Sequence, residues 1–409
     1  MEVKKYRLTD VCDFQGGSQP PKSEWTKTLK DGYVRMLQIR DFTQPNKENI
    51  EYVRITNRIK TCKSEDILIG RYGASVGKIL TGLAGAYNVA IMKTIPDQKK
   101  LLKPYLRHLL VSPSFQNYIL NVGGRAAQAG FSKSDLSRFD VFLPSLENQK
   151  RIAQVLTDCE ELIAKRKESI ALLDELLKST FLDMFWKKNL DYQNWERDTI
   201  EGYALKRKAS MRSGPFGSSL LHEEFSESGD VKVLGIDNVV NNFYEEGKPR
   251  YITFKKYEEL KRYTVHPGDV LISIMATNGR SAVVPQNIPL AINSKHLAAI
   301  TLNQKKILPF YLKYSFQYHP LILKQLSKRV KGAIMSGLNL TIIKELKLPQ
   351  PPLSLQEKFS SVVLKIIETN KLYHNNLLEL EYLYGRLSQD VFKGELDLSK
   401  VALREEFKK

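Results

Sequence analysis

The chain has 409 residues, of which 42% are hydrophobic and 26% are charged, a balance that is typical of globular proteins and argues against extensive disorder. Its 63 Lys and Arg side chains outnumber its 45 Asp and Glu side chains, which gives a formal charge of +18. A basic excess of this size favours a polyanionic partner, most often nucleic acid, with a generally basic surface as the alternative.

The three cysteines, Cys12, Cys62 and Cys159, are odd in number and widely spaced. This pattern argues against a disulfide framework and is typical of proteins in a reducing cytoplasm. The N-terminal residues contain no apolar signal segment, and no stretch approaches the roughly 18 uncharged apolar residues of a membrane span. We therefore expect a cytoplasmic protein with no membrane contact.

The first predicted domain covers residues 1–145 and contains short strand-like apolar runs separated by glycine turns, with one short helix from Pro104. Gln38 and Arg40 follow the apolar run that begins at Tyr33. Amide and guanidinium groups at this place would suit the readout of base edges in the major groove. Ordinary surface positions in a loop explain these two residues equally well.

The glycine-rich run from Gly70 to Lys78 resembles a phosphate-binding P-loop but fails its spacing. Three residues separate Gly73 from Gly77, and Ile79 follows the lysine, whereas the P-loop has about four residues between its glycines and Ser or Thr after the lysine. We expect instead a loop that approaches DNA, with a tight turn and a solvated arginine as the alternative. The candidate contacts here and in the later glycine-rich segment are Arg71, Tyr72, Ser75, Lys78, Arg125 and Gln128.

Residues 146–190 are predicted to form a long helix. Proline stops after Pro144, and apolar residues then recur at alternating steps of four and three, the spacing of a heptad seam. Arg166 is a polar break in this seam. The seam of the first helix comprises Ile152, Leu156, Ile163, Leu173 and Leu177.

The second predicted domain, residues 191–352, repeats the first. Asp66–Ile69 has its counterpart in Asp269–Ile272, and Pro144–Gln149 has its counterpart in Pro351–Gln356. A period near 200 residues indicates two copies of a whole domain and its connector. The candidate DNA contacts of this copy, for which a solvated surface is the alternative, are Asn238, Thr277, Asn278, Arg280, Lys328, Arg329 and Lys331.

A second long helix is predicted over residues 353–397 and is followed by a short tail, 398–409. A helix of about 40 residues spans about 60 Å and cannot bury a narrow apolar stripe alone. We expect the two helices to form an antiparallel coiled-coil spacer, with packing of each helix on its own domain as the alternative. The seam of the second helix comprises Phe359, Val363, Ile366, Leu377 and Leu380.

The predicted fold class is therefore mixed α/β, with two similar globular domains separated by two long antiparallel helices in a pseudo-twofold repeat. A spacer of about 60 Å would hold the two domains apart, which suits a linear polymer with two reading sites. On B-DNA, 10–10.5 base pairs advance about 34–36 Å, so the two domains could read separate blocks of one duplex. Since the two domains differ in sequence, the expected DNA target is bipartite and asymmetric.

Four segments, Leu143–Ile152, Ser213–Ser218, Gly268–Ile272 and Phe392–Leu396, resemble the specificity subunit of type I restriction–modification systems, and the resemblance covers essentially the whole chain. Copy one departs from it with Gln15–Pro20 in place of the Gly-Pro-Phe-Gly form. The resemblance implies target-recognition domains that bind double-stranded DNA. It also implies helices that dock two DNA adenine methyltransferase (M) subunits and help to recruit restriction–translocase (R) subunits. The expected cofactors, S-adenosylmethionine, ATP and magnesium, would then belong to those partners and not to this chain.

Motifs for chemistry are missing from the sequence. It contains no Asn-Pro-Pro-aromatic or Asp-Pro-Pro-aromatic motif, and its six histidines are scattered without metal-ligand spacing. We expect neither a catalytic residue nor a metal site. Two other functions are alternatives to DNA recognition: a stand-alone restriction endonuclease with its own recognition domains, and a coiled-coil adaptor that binds only proteins.

Overall fold

The computed structural model describes residues 3–44, 50–123, 130–187, 189–275, 279–330, 338–396, 398 and 400–408. The chain divides into two compact units: unit 1 comprises Met1–Lys167 and Asn375–Lys409, and unit 2 comprises Glu168–His374. Each unit contains one globular domain together with parts of both long helices.

Domain 1, the globular part of unit 1, is mixed α/β. Its strands are β1 (Lys4–Arg7), β2 (Cys12–Gly16), β3 (Tyr33–Leu37), β4 (Tyr52–Arg54), β5 (Thr61–Cys62), β6 (Leu68–Gly70), β7 (Ile79–Leu80), β8 (Gly85–Tyr87), β9 (Ile91–Pro96) and β10 (Asp140–Leu143). Its helices are α1 (Leu8–Val11), α2 (Ile39–Thr43), α3 (Lys103–Val111), α4 (Pro113–Gly123) and α5 (Lys133–Leu136).

The strands of domain 1 form two four-stranded sheets, in the orders β4-β3-β8-β5 and β2-β9-β6-β7, and a two-stranded ladder of β1 and β10. The pair β3–β8 is parallel, and the other pairs are antiparallel. Strands β6 and β8 are buried along their whole length, which explains why they read as continuous apolar runs instead of alternating ones.

After α6 (Leu146–Leu182), domain 2 repeats this inventory within unit 2. Its strands are β11 (Arg197–Thr199), β12 (Met211–Ser213), β13 (Val231–Leu234), β14 (Tyr251–Ile252), β15 (Thr264–Val265), β16 (Val270–Ser273), β17 (Ser281–Val283), β18 (Ala291–Asn293), β19 (Leu297–Ile300) and β20 (Lys347–Pro349). Its helices are α7 (Ile200–Tyr203), α8 (Phe254–Leu260), α9 (Pro309–Tyr318), α10 (Pro320–Val330) and α11 (Leu340–Glu345). The chain ends with α12 (Leu353–Lys393) and α13 (Glu405–Lys408).

The sheets of domain 2 have the orders β14-β13-β18-β15 and β12-β19-β16-β17, beside the ladder β11–β20. Strand for strand these are the orders of domain 1, and β13–β18 is again the parallel pair. The predicted fold class, two similar mixed α/β domains joined by two long helices, is therefore confirmed.

The ends of the long helices follow local rules. The Ser145 hydroxyl accepts a hydrogen bond from the Asn148 backbone N–H at 3.3 Å, which makes it the N-terminal cap of α6. Prolines precede both helices, and α12 stops before Gly394, whose φ of +77° is the left-handed conformation that ends many helices.

One side chain fixes the start of each long helix to its domain. The Gln149 carbonyl accepts from the Leu102 N–H at 3.0 Å, and its amide donates to the Lys100 carbonyl at 2.8 Å. Gln356 makes the same contacts in unit 2, to the Leu308 N–H at 2.7 Å and the Lys306 carbonyl at 3.0 Å. Both glutamines are fully buried, so the repeat extends to an individual hydrogen-bond pattern.

In unit 1 the two long helices run antiparallel. Glu160 on α6 accepts a hydrogen bond from the Tyr384 hydroxyl on α12 at 2.8 Å, and further along α6 Lys167 pairs with the earlier residue Glu381 at 2.8 Å. Of the predicted seam residues, Ile152 and Leu156 are buried in the core of unit 1, and the half-buried ones are Ile163, Leu377 and Leu380.

In unit 2 the seam is largely buried. The Phe181 ring on α6 lies 5.5 Å from the Phe359 ring on α12, centroid to centroid. The predicted seam residues Leu177, Phe359, Val363 and Ile366 are buried, and Leu173 is half buried. The helix stripes thus pack on each other and, near the helix starts and ends, also on the domain of the same unit.

No helix in the described parts of the chain has the length and apolar character that crossing a bilayer requires.

Candidate nucleic-acid interface

The β6–β7 hairpin of domain 1 carries four of the predicted contact residues, Arg71, Tyr72, Ser75 and Lys78. The Gly70 N–H donates to the Lys78 carbonyl at 2.8 Å, and the Gly77 N–H donates back to the Gly70 carbonyl at 2.9 Å. Gly77 has a φ of +79°, which a residue with a side chain would adopt only under strain. This turn leaves Lys78 exposed at the beginning of β7.

The β16–β17 hairpin of domain 2 closes in the same way. The Ser273 N–H donates to the Arg280 carbonyl at 2.8 Å, and the Gly279 N–H donates to the Ser273 carbonyl at 3.0 Å. Gly279 has a φ of +82°, close to that of Gly77. Arg280 is exposed and occupies the position of Lys78, so both domains carry a cation at the same point of the same hairpin.

Arg71 anchors its hairpin. Its Nε–H donates to the Phe131 carbonyl at 2.9 Å, and its guanidinium lies 4.9 Å from the centre of the Tyr72 ring. The Ser75 hydroxyl donates to the Tyr72 carbonyl at 2.6 Å, which makes it a turn-stabilising group. Arg71 and Ser75 therefore stabilise the loop. Tyr72 itself remains 41% exposed to solvent.

Two glycines let neighbouring segments approach this hairpin and its strands closely. A Cβ on Gly130 would lie 2.7 Å from Cδ1 of Tyr72, and a Cβ on Gly17 would lie 2.1 Å from the Asn88 carbonyl oxygen. Gly214 in domain 2 has the same relation to Asn293, also at 2.1 Å. Substitution at any of these glycines would push the loops apart.

Gln38 and Arg40 lie near the hairpin but are already paired. Arg40 forms an ion pair with Glu51 at 2.8 Å, and the Gln38 amide donates to the same carboxylate at 3.3 Å. Burial alone would raise the pKa of Glu51, but Lys22 at 2.7 Å and Arg40 outweigh it and hold this pKa below its usual range. Glu51 therefore competes with a base for the Arg40 guanidinium and the Gln38 amide.

An open groove brings α2 and the hairpin together on one face of domain 1. Asp41 and Phe42 line it from α2, and Lys78 lines it from the start of β7. Asp41 is held by Arg35 at 2.8 Å. Of the predicted contacts in domain 1, Lys78 lines this groove, whereas Gln38 and Arg40 are not among its lining residues.

Asn238 is not on the surface, and its predicted role in base readout is corrected. Its side chain is fully buried, accepts from the Gly235 N–H at 2.8 Å and donates to the carbonyls of Glu245 and Glu246 at 2.7 and 2.9 Å. Through these bonds the Asn238 side chain stabilises the loop that returns to it at Glu245 and Glu246.

The remaining predicted contacts are only partly described. Lys328 is exposed on α10, and Arg329 follows it on the same helix, but its side chain is outside the described part. The predicted residues that lie outside the described ranges are Arg125, Gln128, Thr277, Asn278 and Lys331.

Sequence reasoning missed Met275. The Arg71 N–H donates to the Ala90 carbonyl at 2.8 Å, and the Ile274 N–H donates to the His296 carbonyl at 2.9 Å, which makes these two residues equivalent. Met275 then occupies the position of Tyr72 and is 38% exposed. The two hairpins differ in length by one residue. An alignment that starts from the ends of the matched strands β6 and β16 therefore pairs Met275 with Tyr72, whereas an alignment that starts from Gly77 and Gly279 pairs Ile274 with Tyr72.

Within the described ranges, no group of three or more His, Cys, Asp or Glu side chains is placed to hold a metal ion. The surface consists instead of cations, amides and exposed apolar side chains around glycine turns, a set that suits contacts to phosphates and base edges.

The chain is similar to known proteins along most of its length. The model of the type I restriction modification DNA specificity domain matches residues 1–173 and 216–382. The type I restriction enzyme MjaVIII specificity subunit of Methanocaldococcus jannaschii is 25% identical over 354 residues, 81% of this chain and 77% of that protein. The MjaIX specificity subunit of the same organism is 23% identical over 429 residues, 98% of this chain and 94% of that protein.

Two solved structures share the fold. The S subunit of a type I restriction–modification system from M. genitalium is 16% identical, with a TM-score of 0.59 over 96% of both chains. A chain from a structure that describes complex assembly and conformational transition of the type I R-M system is also 16% identical. Its TM-score is 0.57 over 96% of this chain and 98% of that chain.

Proposed function

The chain belongs to the type I restriction modification DNA specificity domain family, and we propose from this that it is the DNA sequence-recognition subunit of a type I restriction–modification complex. The observation that carries the proposal is the duplicated hairpin. Both domains present an exposed cation, Lys78 or Arg280, at one topological position.

The target is proposed to be double-stranded DNA with two different blocks, one for each domain. The frames of the domains match strand for strand, but their hairpins carry different side chains. Arg71 and Tyr72 in domain 1 stand where domain 2 has Ile274 and Met275. Because base edges are read by side chains and not by the frame, the two blocks should differ and the whole target should be asymmetric.

The partners are proposed to be two DNA adenine methyltransferase subunits and the restriction–translocase subunits. Both long helices carry apolar side chains that are more than a third exposed in the isolated chain and that a docked subunit would cover. On α6 these are Leu146, Leu162, Leu172 and Leu176, and on α12 they are Leu364, Ile367, Leu372, Leu378, Tyr382 and Leu383.

Catalysis is assigned to those partners in this proposal. S-adenosylmethionine would be bound by the methyltransferase subunits, and ATP with magnesium by the restriction–translocase subunits, with this chain as a non-catalytic scaffold. The proposed place of action is the cytoplasm.

The test is a methylome of the host by single-molecule sequencing, with the gene intact, deleted and restored. We expect one bipartite, asymmetric motif with methylated adenines to disappear on deletion and to return on complementation. A methylome that does not change on deletion would overturn the assignment and leave the two alternatives, a stand-alone restriction endonuclease and a protein-binding adaptor.

A second experiment tests the hairpins with the co-expressed methyltransferase complex. Lys78→Gln and Arg280→Gln should each reduce the slope of log affinity against log salt by about 1, because each removes one phosphate-neutralising cation. Lys63→Gln is the matched control: Lys63 is an exposed cation before β6, at the end of the strand away from the hairpin. An equal change in the control would show a general charge effect and no specific contact.

A further inference from the structure

The position immediately after Arg71 and Ile274 carries an exposed apolar side chain in both domains. Tyr72 is 41% exposed and Met275 is 38% exposed. Each lies two residues after a strand that is buried along its whole length, β6 before Tyr72 and β16 before Met275. A large apolar group in solvent at the same place in both copies is not required by either fold.

The tyrosine is held in advance of any binding. Arg71 stacks on its ring at 4.9 Å and is fixed by the Phe131 carbonyl, and the Tyr72 backbone forms a bridge with Gly130. Gly130 leaves room for the ring, because a Cβ there would lie 2.7 Å from Tyr72 Cδ1. A side chain that is ordered before binding loses little conformational entropy when it binds.

Each apolar side chain shares its hairpin with an exposed cation. Lys78 stands at the other arm of the hairpin of Tyr72, and Arg280 stands at the other arm of the hairpin of Met275. A cation that neutralises a phosphate brings the duplex to the hairpin, and an apolar side chain beside it can then enter between bases. This charge pattern suits DNA and does not suit an apolar protein surface, which would leave the cation without a counterion.

We propose that Tyr72 and Met275 are wedges: each enters the base stack of its own half of the target and unstacks one base step. The proposal rests on the proposed function in DNA recognition and deepens it. It adds a deformation of the DNA at both blocks, so that the flexibility of a base step becomes part of what each domain selects.

The test uses the methyltransferase complex and a duplex that carries the motif found by the methylome, with single adenines replaced in turn by 2-aminopurine. Unstacking increases the fluorescence of this base. With the wild-type complex we expect an increase at one position in each block other than the methylated adenine, which the methyltransferase subunits themselves flip out of the stack. Tyr72→Ala should remove the increase in the block of domain 1 alone, and Met275→Ala should remove it in the block of domain 2 alone.

Affinity separates the wedge from weaker contacts. Stacking on a base is worth roughly 1–3 kcal/mol, so Tyr72→Ala should weaken binding about 5- to 150-fold, while Tyr72→Phe should keep both affinity and fluorescence. Ile95→Ala is the matched control, because Ile95 is also 41% exposed but lies near the far end of β9 from the hairpin.

The outcomes distinguish the two proposals. Specific binding without a fluorescence increase at any position other than the methylated adenine overturns the wedge and leaves DNA recognition standing, as would occur if the side chains only touched thymine methyl groups. An effect of Ile95→Ala equal to that of Tyr72→Ala would also overturn it. Absence of specific binding by the wild-type complex overturns the proposed function and the wedge together.

Discussion

Domains 1 and 2 have the same strand order but use different ionic partners at the same carboxylate. Asp66 lies between Lys103 at 2.7 Å and Lys93 at 3.5 Å, and both lysines are partly exposed. Its counterpart Asp269 pairs with Arg212, and both members of that pair are buried. In each domain the carboxylate also accepts a backbone N–H three residues earlier, at 3.0 and 2.9 Å.

Both domains share the carboxylate, whereas the cation that pairs with it comes from a different element in each. The carboxylate is kept because it holds the turn before a buried strand, whereas the cation can come from a helix start, as Lys103 does, or from a strand, as Arg212 does. A duplicated frame therefore tolerates exchange of the partner, but the energetic cost of losing the carboxylate should differ between the two copies.

The largest effect is expected from Asp269→Asn. It leaves the buried Arg212 without a counter-charge and should lower the free energy of unfolding of unit 2 by about 3–5 kcal/mol. Asp66→Asn in unit 1 should cost about 1 kcal/mol, because its lysines can turn to solvent. Hydrogen exchange resolved by peptide measures the two units separately, and equal losses would show that burial of the pair is not what matters.

Acid should destabilise both units through one buried histidine each. Burial lowers the pKa of His108 to about 4 against the charge of Glu160, and burial lowers the pKa of His319 to about 4. An unfolded histidine takes up its proton near pH 6.5, so between pH 6.5 and 4 the unfolded state binds more protons and stability falls as the pH falls.

The loss across that window should be about 3 kcal/mol for each histidine. Urea unfolding from pH 7 to pH 4 measures it, with His108→Gln and His319→Gln as the variants. Each variant should flatten the pH dependence of its own unit alone. A pH dependence that both variants leave unchanged would contradict the assignment to these side chains.

The two helix-anchoring glutamines should give equal effects. Gln149→Leu and Gln356→Leu each leave a buried N–H and carbonyl groups without their partner, which should cost about 2 kcal/mol in either unit. Gln98→Leu, at an exposed position of unit 1, is the control and should change little. Clearly different losses of unfolding free energy in the two variants would show that the same hydrogen-bond pattern contributes differently to the stability of the two units.

The smallest expected effect on stability comes from replacing one cation in each unit with methionine, and its sign should differ between the two units. Burial lowers the pKa of Lys313 well below its usual range, with Asp174 opposing, because a charge is costly in this buried site. Lys313→Met should therefore stabilise unit 2 by about 1 kcal/mol. Arg107, at the matching place in α3, pairs with Glu160 at 2.7 Å and is partly exposed. Arg107→Met should destabilise unit 1 by about 0.5 kcal/mol, as thermal unfolding can show.

The two similar domains and the long helices could be predicted because the sequence patterns that indicate them are local or occur twice. The matched segments Asp66–Ile69 and Asp269–Ile272 identified the duplication, and heptad spacing from Ile152 onward identified the long helices. Burial of Asn238 was not predictable, because its partners are carbonyls of a loop that returns seven and eight residues later. The pairing of Arg40 with Glu51 escaped for the same reason, since nothing in the spacing of the two residues indicates it.

Unit 1 is discontinuous in sequence, and this has a consequence for biosynthesis. Its last part, Asn375–Lys409, leaves the ribosome only after residues 168–374 have been made. At 5–20 residues per second this takes roughly 10–40 s. During that time the nascent domain 1 lacks Val391 and Leu398, which belong to the same hydrophobic core as Ile152 and Leu156. The interval is a window in which chaperones or a second nascent chain can occupy the place of the C-terminal helix.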